Sequence, residues 1–275
     1  MNRETRLTFP RVFVMTVIAV LAVMMLVPLF WLFCAAFKDK DIFSVAFWSP
    51  NASFINFRKL MDLDPPFYRY LINSFFLASA TTIIQLFFSA LGGFALAKYK
   101  FKGQSVIMIV MLTTMMIPGQ VLLAPLFEMI SKLGLTDTYL GIIIPGSVSV
   151  FGIFLFRQSI MQIPDELMQV ARIDGCSEFR IFWEIILPLS RPMIGAFCLI
   201  SYMGSWNSFI WPQIILHNEQ RFPLTVALAQ MKGVYFNEYG MMMAGTLISI
   251  IPVVILFFML QKEFVSGLTS GAVKG

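Results

Sequence analysis

The sequence predicts an all-α membrane protein with about six transmembrane helices, and three observations carry that prediction. Of the 275 residues, 58% are hydrophobic, and the mean hydropathy is +0.80. Only 13% are charged, against roughly 25% in a soluble domain. Six stretches hold no Asp, Glu, Lys or Arg: 12–37, 70–97, 105–127, 139–156, 193–216 and 239–260. Each reaches the length of about 18 residues that marks a membrane span.

Every charge falls between these stretches or at the ends. In hydrocarbon the backbone must satisfy its own hydrogen bonds, and a long single segment does so as a helix. The first stretch outlasts the roughly 7–15 apolar residues of a secretory signal, so it is expected to stay as an anchor. The third to sixth carry helix-interrupting residues: Pro118-Gly119 and Pro125, Pro145-Gly146, Pro212 and Pro252. Such breaks suit ordinary kinks, or backbone that lines a watery cavity. The whole chain, 1–275, reads as one membrane domain, with a core at about 70–260, a polar loop at 157–191 and a tail at 261–275.

An even number of spans puts both termini on one side. Taken as cytoplasmic, that side holds twelve basic and seven acidic residues, and the other holds eight of each. The net charge of +5 therefore sits on the inner face, and the short loop 98–104 carries three lysines and no acid. This follows the positive-inside rule. The basic pI is then a topology signal, and nucleic acid is not required as a partner.

The loop 157–191 is the most informative segment. Pro164 suits a first helical position, and Asp165 and Glu166 suit a positive first turn. Leu167, Val170 and Ala171 fall at helical spacing and predict one apolar face. Gly175 stands where a left-handed stop is wanted, and Asp174 can hydrogen-bond nearby amides of that turn. Ser177 can cap a second helix with Glu178 in its first turn, ending near Pro188. A short amphipathic helix of this kind can lie on lipid headgroups, pack on its own bundle, or fit a groove of a soluble partner.

The run Arg172-Ile173-Asp174-Gly175, with Phe182, Ile185 and Leu187-Pro188-Leu189, resembles the EAA loop of ATP-binding-cassette (ABC) importer permeases. The tail from Phe264 to Gly275 resembles that of the smaller permease subunit of maltose-type importers. Trp206-Asn207-Ser208-Phe209-Ile210-Trp211-Pro212 is similar to a run common in carbohydrate permeases. The resemblance covers essentially the whole chain. It implies a multi-pass bacterial-type inner-membrane permease in the lipid bilayer that, with a second permease subunit, forms the pathway for a sugar or oligosaccharide. It further implies two ATPase subunits and an extracytoplasmic sugar-binding protein. On this reading Glu166, Leu167, Gln169, Val170, Ala171, Asp174 and Gly175 couple to the ATPase, and Gly267, Leu268, Thr269, Gly271 and Lys274 touch it from the tail. The motif's Glu-Ala-Ala stands here as Gln169-Val170-Ala171, and Glu166 or Asp165 offers a substitute acid one turn earlier. Glycerol phosphate or another polar nutrient is the alternative cargo.

The sequence contains no Gly-x-x-x-x-Gly-Lys-Ser/Thr loop, so the chain carries no phosphate-cradling motif of its own. It is expected not to be an enzyme and to need no cofactor, with ATP and Mg on partner chains. No charge lies within the six stretches, which disfavours an ion-coupled secondary transporter. The single histidine, His217, and Glu128 fall at the ends of stretches, and Cys34, Cys176 and Cys198 show no ligand spacing. An intramembrane enzyme is disfavoured for the same reasons. Tyr202, Trp206, Asn207 and Gln120 are candidates for the pathway, because amides and aromatic faces suit sugars. Their plainer reading is interhelical hydrogen bonding and an interfacial aromatic belt.

Overall fold

In the computed structural model, which describes residues 3–39, 48, 52–234 and 238–269, helices carry the fold and no strand occurs among the described residues. Fourteen α-helices follow in order among those residues. They are α1 (Arg3–Ala36), α2 (Ile55–Met61), α3 (Phe67–Lys98), α4 (Gln104–Thr114), α5 (Leu123–Lys132), α6 (Tyr139–Ile143) and α7 (Val150–Ile160). Then come α8 (Asp165–Ile173), α9 (Glu178–Ile181), α10 (Leu187–Leu189), α11 (Arg191–Trp206), α12 (Ile210–Ile215), α13 (Leu224–Val234) and α14 (Tyr239–Thr269).

Three of these, α1, α3 and α14, are long and apolar enough to cross a bilayer unbroken. The expected third, fourth and fifth spans are not single helices. The third stops at Thr114, ahead of Pro118-Gly119, and resumes through a 3-10 turn with a 91° bend. The fourth stops at Ile143, before Pro145-Gly146, and restarts at Val150. The fifth breaks at Asn207–Phe209, ahead of Pro212, which lies inside α12. Pro125 and Pro212 sit in the first turn of their helices, where a missing N–H costs little. Pro252 lies inside a continuous α14 and does not interrupt it.

The chain divides into two compact units. The first comprises residues 1–67 and 228–250. Its α1 exposes large apolar side chains from Val12 to Phe30, and a helix that is apolar all round is at home in hydrocarbon. Asn56 ends that helix by donating from Nδ2 to the carbonyls of Ala36 (2.9 Å) and Lys38 (2.8 Å). Lys59 pairs with Glu238 at 2.7 Å.

The second unit comprises residues 68–227 and 251–275. Its best-defined core joins Ala90 and Phe94 of α3, Phe156 and Ile160 of α7, Met168 and Ala171 of α8, and Ile181 of α9. Phe182 and Ile186 of the next turn and Met193 and Phe197 of α11 complete it. Thus one apolar cluster joins α3, α7 and α11 to the polar loop 157–191.

Candidate functional site

The loop begins at α8, whose first residue is Asp165. Pro164 is the N-cap, one position earlier than the sequence reading placed it. Its ψ of 137° keeps it extended. The helix ends in a Schellman turn. Gly175 has φ +79°, its N–H donates to the Arg172 carbonyl (3.1 Å), and the Cys176 N–H donates to the Ala171 carbonyl (2.9 Å). Backbone groups therefore close the turn where a hydrogen-bonding role for the Asp174 side chain was expected. Ser177 caps α9 as expected, accepting from the Arg180 N–H at 3.3 Å.

The single apolar face expected of Leu167, Val170 and Ala171 is divided in the structure. Met168 and Ala171 point into the core and are buried. Leu167, Val170 and Ile173 are 44%, 57% and 84% exposed. Glu166 and Gln169 are exposed as well. The helix is thus seated by one face and offers a second, mixed apolar and polar face outward.

Two polar links fasten α8, and a third ties the end of α3 beside it. Lys98, at the end of α3, is 3% exposed in its side chain and pairs with Asp165 at 2.6 Å while donating to the Ile163 carbonyl. Asp165 is therefore engaged within the chain and is no spare acid for a partner; Glu166 is the acid left on the outward face. Arg172 meets Glu178 at 2.7 and 3.1 Å across the Gly175 turn, and the Tyr99 hydroxyl donates to the same carboxylate. Arg157 and Gln104 both donate to the Leu96 carbonyl, one of the open acceptors at the end of α3. Between α9 and α10 the helix widens into a π turn, Phe182–Ile186, a form frequent at functional sites. Sequence reasoning missed Lys98, Tyr99 and the π turn, because their partners lie 65 to 79 residues away or the geometry has no local signature.

These contacts set a pH dependence. The hydrogen bonds from Arg172 and then Tyr99 hold the Glu178 carboxyl below its ordinary value, and the Lys98 hydrogen bond lowers Asp165. Burial, then the Glu178 carboxylate, pushes Tyr99 up to about 12. A carboxyl lowered in the folded state contributes stability above its unfolded value of about 4 and loses it as pH falls through the folded value. Protection of the amides over residues 165–181, taken relative to their intrinsic exchange rates, should therefore hold down to about pH 4 and fall below it. Glu178→Gln should raise exchange at neutral pH and flatten this acid limb. An unchanged acid limb in that variant would remove Glu178 from the fastening.

The four pathway candidates separate into two pairs. Tyr202 and Trp206 are buried and stacked, with centroids 5.7 Å apart and planes at 18°. They line an apolar groove together with Ile72, Phe75, Leu256 and Met259. Gln120 and Asn207 are exposed and share an open cleft of about 550 Å³ with Phe209 and Trp211. A third cavity, of about 370 Å³, lies where the fourth stretch is broken and is lined by Thr81, Gln85, Ser149 and Ser201.

The charged ends of the stretches are tied within the chain. Glu128 pairs with Lys132 at 2.6 Å, one helical turn away. Asp137, with φ 55°, accepts from the His217 and Asn218 N–H groups at 3.0 Å each and pairs with Arg221 at 2.6 Å. The three cysteines are free, and no cluster of metal-ligating residues occurs among the described residues. Of the tail, Gly267 is described and lies against the Pro192 carbonyl and Ala196. Leu268 and Thr269 end α14, whereas Gly271 and Lys274 lie outside the described residues.

The model of the family described as "Binding-protein-dependent transport system inner membrane component" matches residues 85–265. The arabinooligosaccharides transport system permease protein AraQ of Bacillus subtilis is 41% identical, over 81% of this chain and 79% of the relative. The sn-glycerol-3-phosphate transport system permease protein UgpE of Shigella flexneri is 35% identical, over 74% and 73%. Among solved structures, a chain of a bacterial ABC transporter involved in import of the acidic polysaccharide alginate superposes with a TM-score of 0.83. That likeness covers 96% of this chain and 99% of the other at 23% identity, and so it speaks to the fold.

Proposed function

Because the chain belongs to the family of binding-protein-dependent transport system inner membrane components, we propose that it is the sugar-conducting permease whose helix α8 couples it to an ATPase. It is a permease subunit of an ABC importer, and its relatives are transporter subunits, not enzymes. The cargo favoured is a neutral sugar or oligosaccharide, since the permease for arabinooligosaccharides is the more similar relative at 41%, against 35% for that of glycerol phosphate. The partners on this reading are a second permease, an extracytoplasmic binding protein and two ATPase subunits that carry ATP and Mg. Both termini and the loop 157–191 face the cytoplasm, which is the orientation the basic residues favour.

The observation that carries the coupling role is the outward face of α8. Leu167, Val170 and Ile173 are apolar and exposed on a helix that is fastened on its other side. A rigid, partly apolar helix face suits a groove of a soluble partner. The deciding experiment is expression with the neighbouring transport genes, purification in detergent, and uptake in proteoliposomes. A P-loop ATPase should co-purify, and labelled arabinooligosaccharide should enter only with ATP and the binding protein. Uptake without any ATPase would end the reading, and uptake of sn-glycerol 3-phosphate alone would replace the cargo.

Gly175 gives a sharper test. Its φ is +79°, and a Cβ there would meet nothing within 4 Å, so the cost of a side chain is conformational. That cost is about 1–2 kcal/mol for a β-branched residue and less for asparagine. Gly175→Val should leave the permease pair assembled while lowering ATPase content and uptake several-fold, and Gly175→Asn should be nearly neutral. Equal behaviour of the two variants would remove the left-handed turn from the mechanism.

A further inference from the structure

The turn between α3 and α4 is short, basic and fixed at both ends. At its start, Lys98 pairs with Asp165 at 2.6 Å, and the Tyr99 hydroxyl donates to the Glu178 carboxylate. At its end the chain reverses at Gly103, whose φ is +88°, and the Gln104 amide donates to the Leu96 carbonyl at 2.7 Å. Between these anchors stand Lys100, Phe101 and Lys102, all exposed, Phe101 by 43%.

Most charges near this turn are matched within the chain. Asp165 pairs with Lys98, Glu178 with Arg172, and Glu184 with Arg180. Lys100 and Lys102 form no ion pair among the described residues. Glu166 and Asp174, the exposed acids of α8 and its end, pair with neither. Lys100 nevertheless stands beside the first turn of α8. The hydrogen bond and the charge of Lys98 hold the Asp165 carboxyl below its ordinary value, and the charge of Lys100 adds to them.

The positive-inside rule places basic residues on this side of the membrane, but it does not require them to be held against one helix. Protein interfaces have an apolar centre and a polar rim. Leu167, Val170 and Ile173 supply the first on α8. Lys100 and Lys102 lie where a rim would lie, on a backbone already ordered, so pairing there costs little further freedom.

We infer that the turn Lys100-Phe101-Lys102 is a second contact for the ATPase subunit that receives α8, and that it meets an acidic patch at the edge of the partner's groove. The inference rests on the coupling role proposed above and adds a surface and a charge to it. Opposite charges at a rim steer encounter and fix register more than they add affinity. The turn therefore sets the orientation in which α8 enters its groove.

The test uses the complete transporter in nanodiscs of neutral phosphatidylcholine, with the dissociation constant of the ATPase as readout. Lys102→Glu should weaken binding about tenfold at low ionic strength. The difference should shrink at about 1 M salt, where the screening length is about 3 Å. Lys100→Gln and Phe101→Ala should each weaken binding several-fold, the latter without salt dependence. Lys102→Arg keeps the charge and should bind as the parent does. These positions are exposed, so melting points and amide protection over residues 165–173 should stay parental. Parental binding in Lys102→Glu and Lys100→Gln, while Ile173→Lys loses the ATPase, overturns the inference and leaves the coupling role standing. Parental binding in all of them, Ile173→Lys included, refutes the coupling role and this contact with it. Weaker binding with lost protection over 165–173 also overturns the inference, because the lysines would then act only by holding α8. A defect that appears only in discs containing anionic phosphatidylglycerol assigns the turn to the lipid surface and overturns it as well.

Discussion

Ile173→Lys and Val170→Lys are expected to yield a folded permease that has lost its ATPase. Both positions are largely exposed, at 84% and 57%, so the fold should change by no more than about 0.5 kcal/mol. A lysine near the end of α8 also agrees with the helix dipole, so loss of the helix is not the expected outcome. In an apolar groove of a partner, however, the same ammonium group would be buried without a counter-charge. Truncating a central interface anchor alone costs about 2 kcal/mol or more, and the added charge should bring the loss in ATPase affinity to on the order of a hundredfold. Met168→Ala provides the contrast. Met168 is 2% exposed and seated in the core, so its truncation should cost roughly 2–5 kcal/mol of stability. Size-exclusion profiles, melting curves and ATPase content of the purified complexes separate the two effects. Full ATPase content and uptake in both lysine variants would take the outward face of α8 out of the coupling interface.

The contrast between Ile173 and Met168 shows how far the sequence could be read. A period of 3.6 residues located an amphipathic helix, and Gly175 located its end. The pattern did not say which apolar residues face the bundle, because α8 has two apolar faces and only one is covered among the described residues. Leu167 and Ala171 are one turn apart and were read as one surface; the core takes Ala171 and leaves Leu167 outside. Unbroken spans such as α3 and α14 were legible because length and absence of charge suffice. Pro118-Gly119 and Pro145-Gly146 did mark real breaks. Pro252 did not, since a proline within an apolar helix can be accommodated by its neighbours. Contacts such as Lys98 with Asp165 were not legible, since they join residues 67 apart. The two pairs among the pathway candidates were equally hidden: Asn207 follows Trp206 in sequence but lies beyond the end of α11 and faces another cleft.

Gly93 and its neighbour Gly92 should differ sharply, and the larger effect lies at Gly93. A Cβ at Gly93 would stand 2.5 Å from the Phe156 Cβ and 2.8 Å from the Arg157 backbone nitrogen. Side-chain rotation cannot relieve either contact, because both belong to α7 itself. A Cβ at Gly92 would stand 3.1 Å from Cγ1 and 3.2 Å from Cδ1 of Ile153, side-chain atoms that can give by a few tenths of an ångström. Small residues let helices approach closely in membranes, where dispersion contacts drive association in place of the hydrophobic effect. Overpacking usually costs about 1–3 kcal/mol, and backbone against backbone belongs at the upper end. Gly93→Ala should therefore destabilise by about 3 kcal/mol, and Gly93→Val by more, whereas Gly92→Ala should cost less than about 1 kcal/mol. The damage should also spread. Phe156 and Ile160 of α7 are core neighbours of Met168 and Ala171, so pushing α7 away loosens the seat of α8. Amide exchange in Gly93→Ala should rise over residues 165–173 as well as at the helix crossing, while Gly92→Ala leaves both protected. Equal melting points for the two alanine variants would show that α3 and α7 do not meet at Gly93 in the assembled transporter.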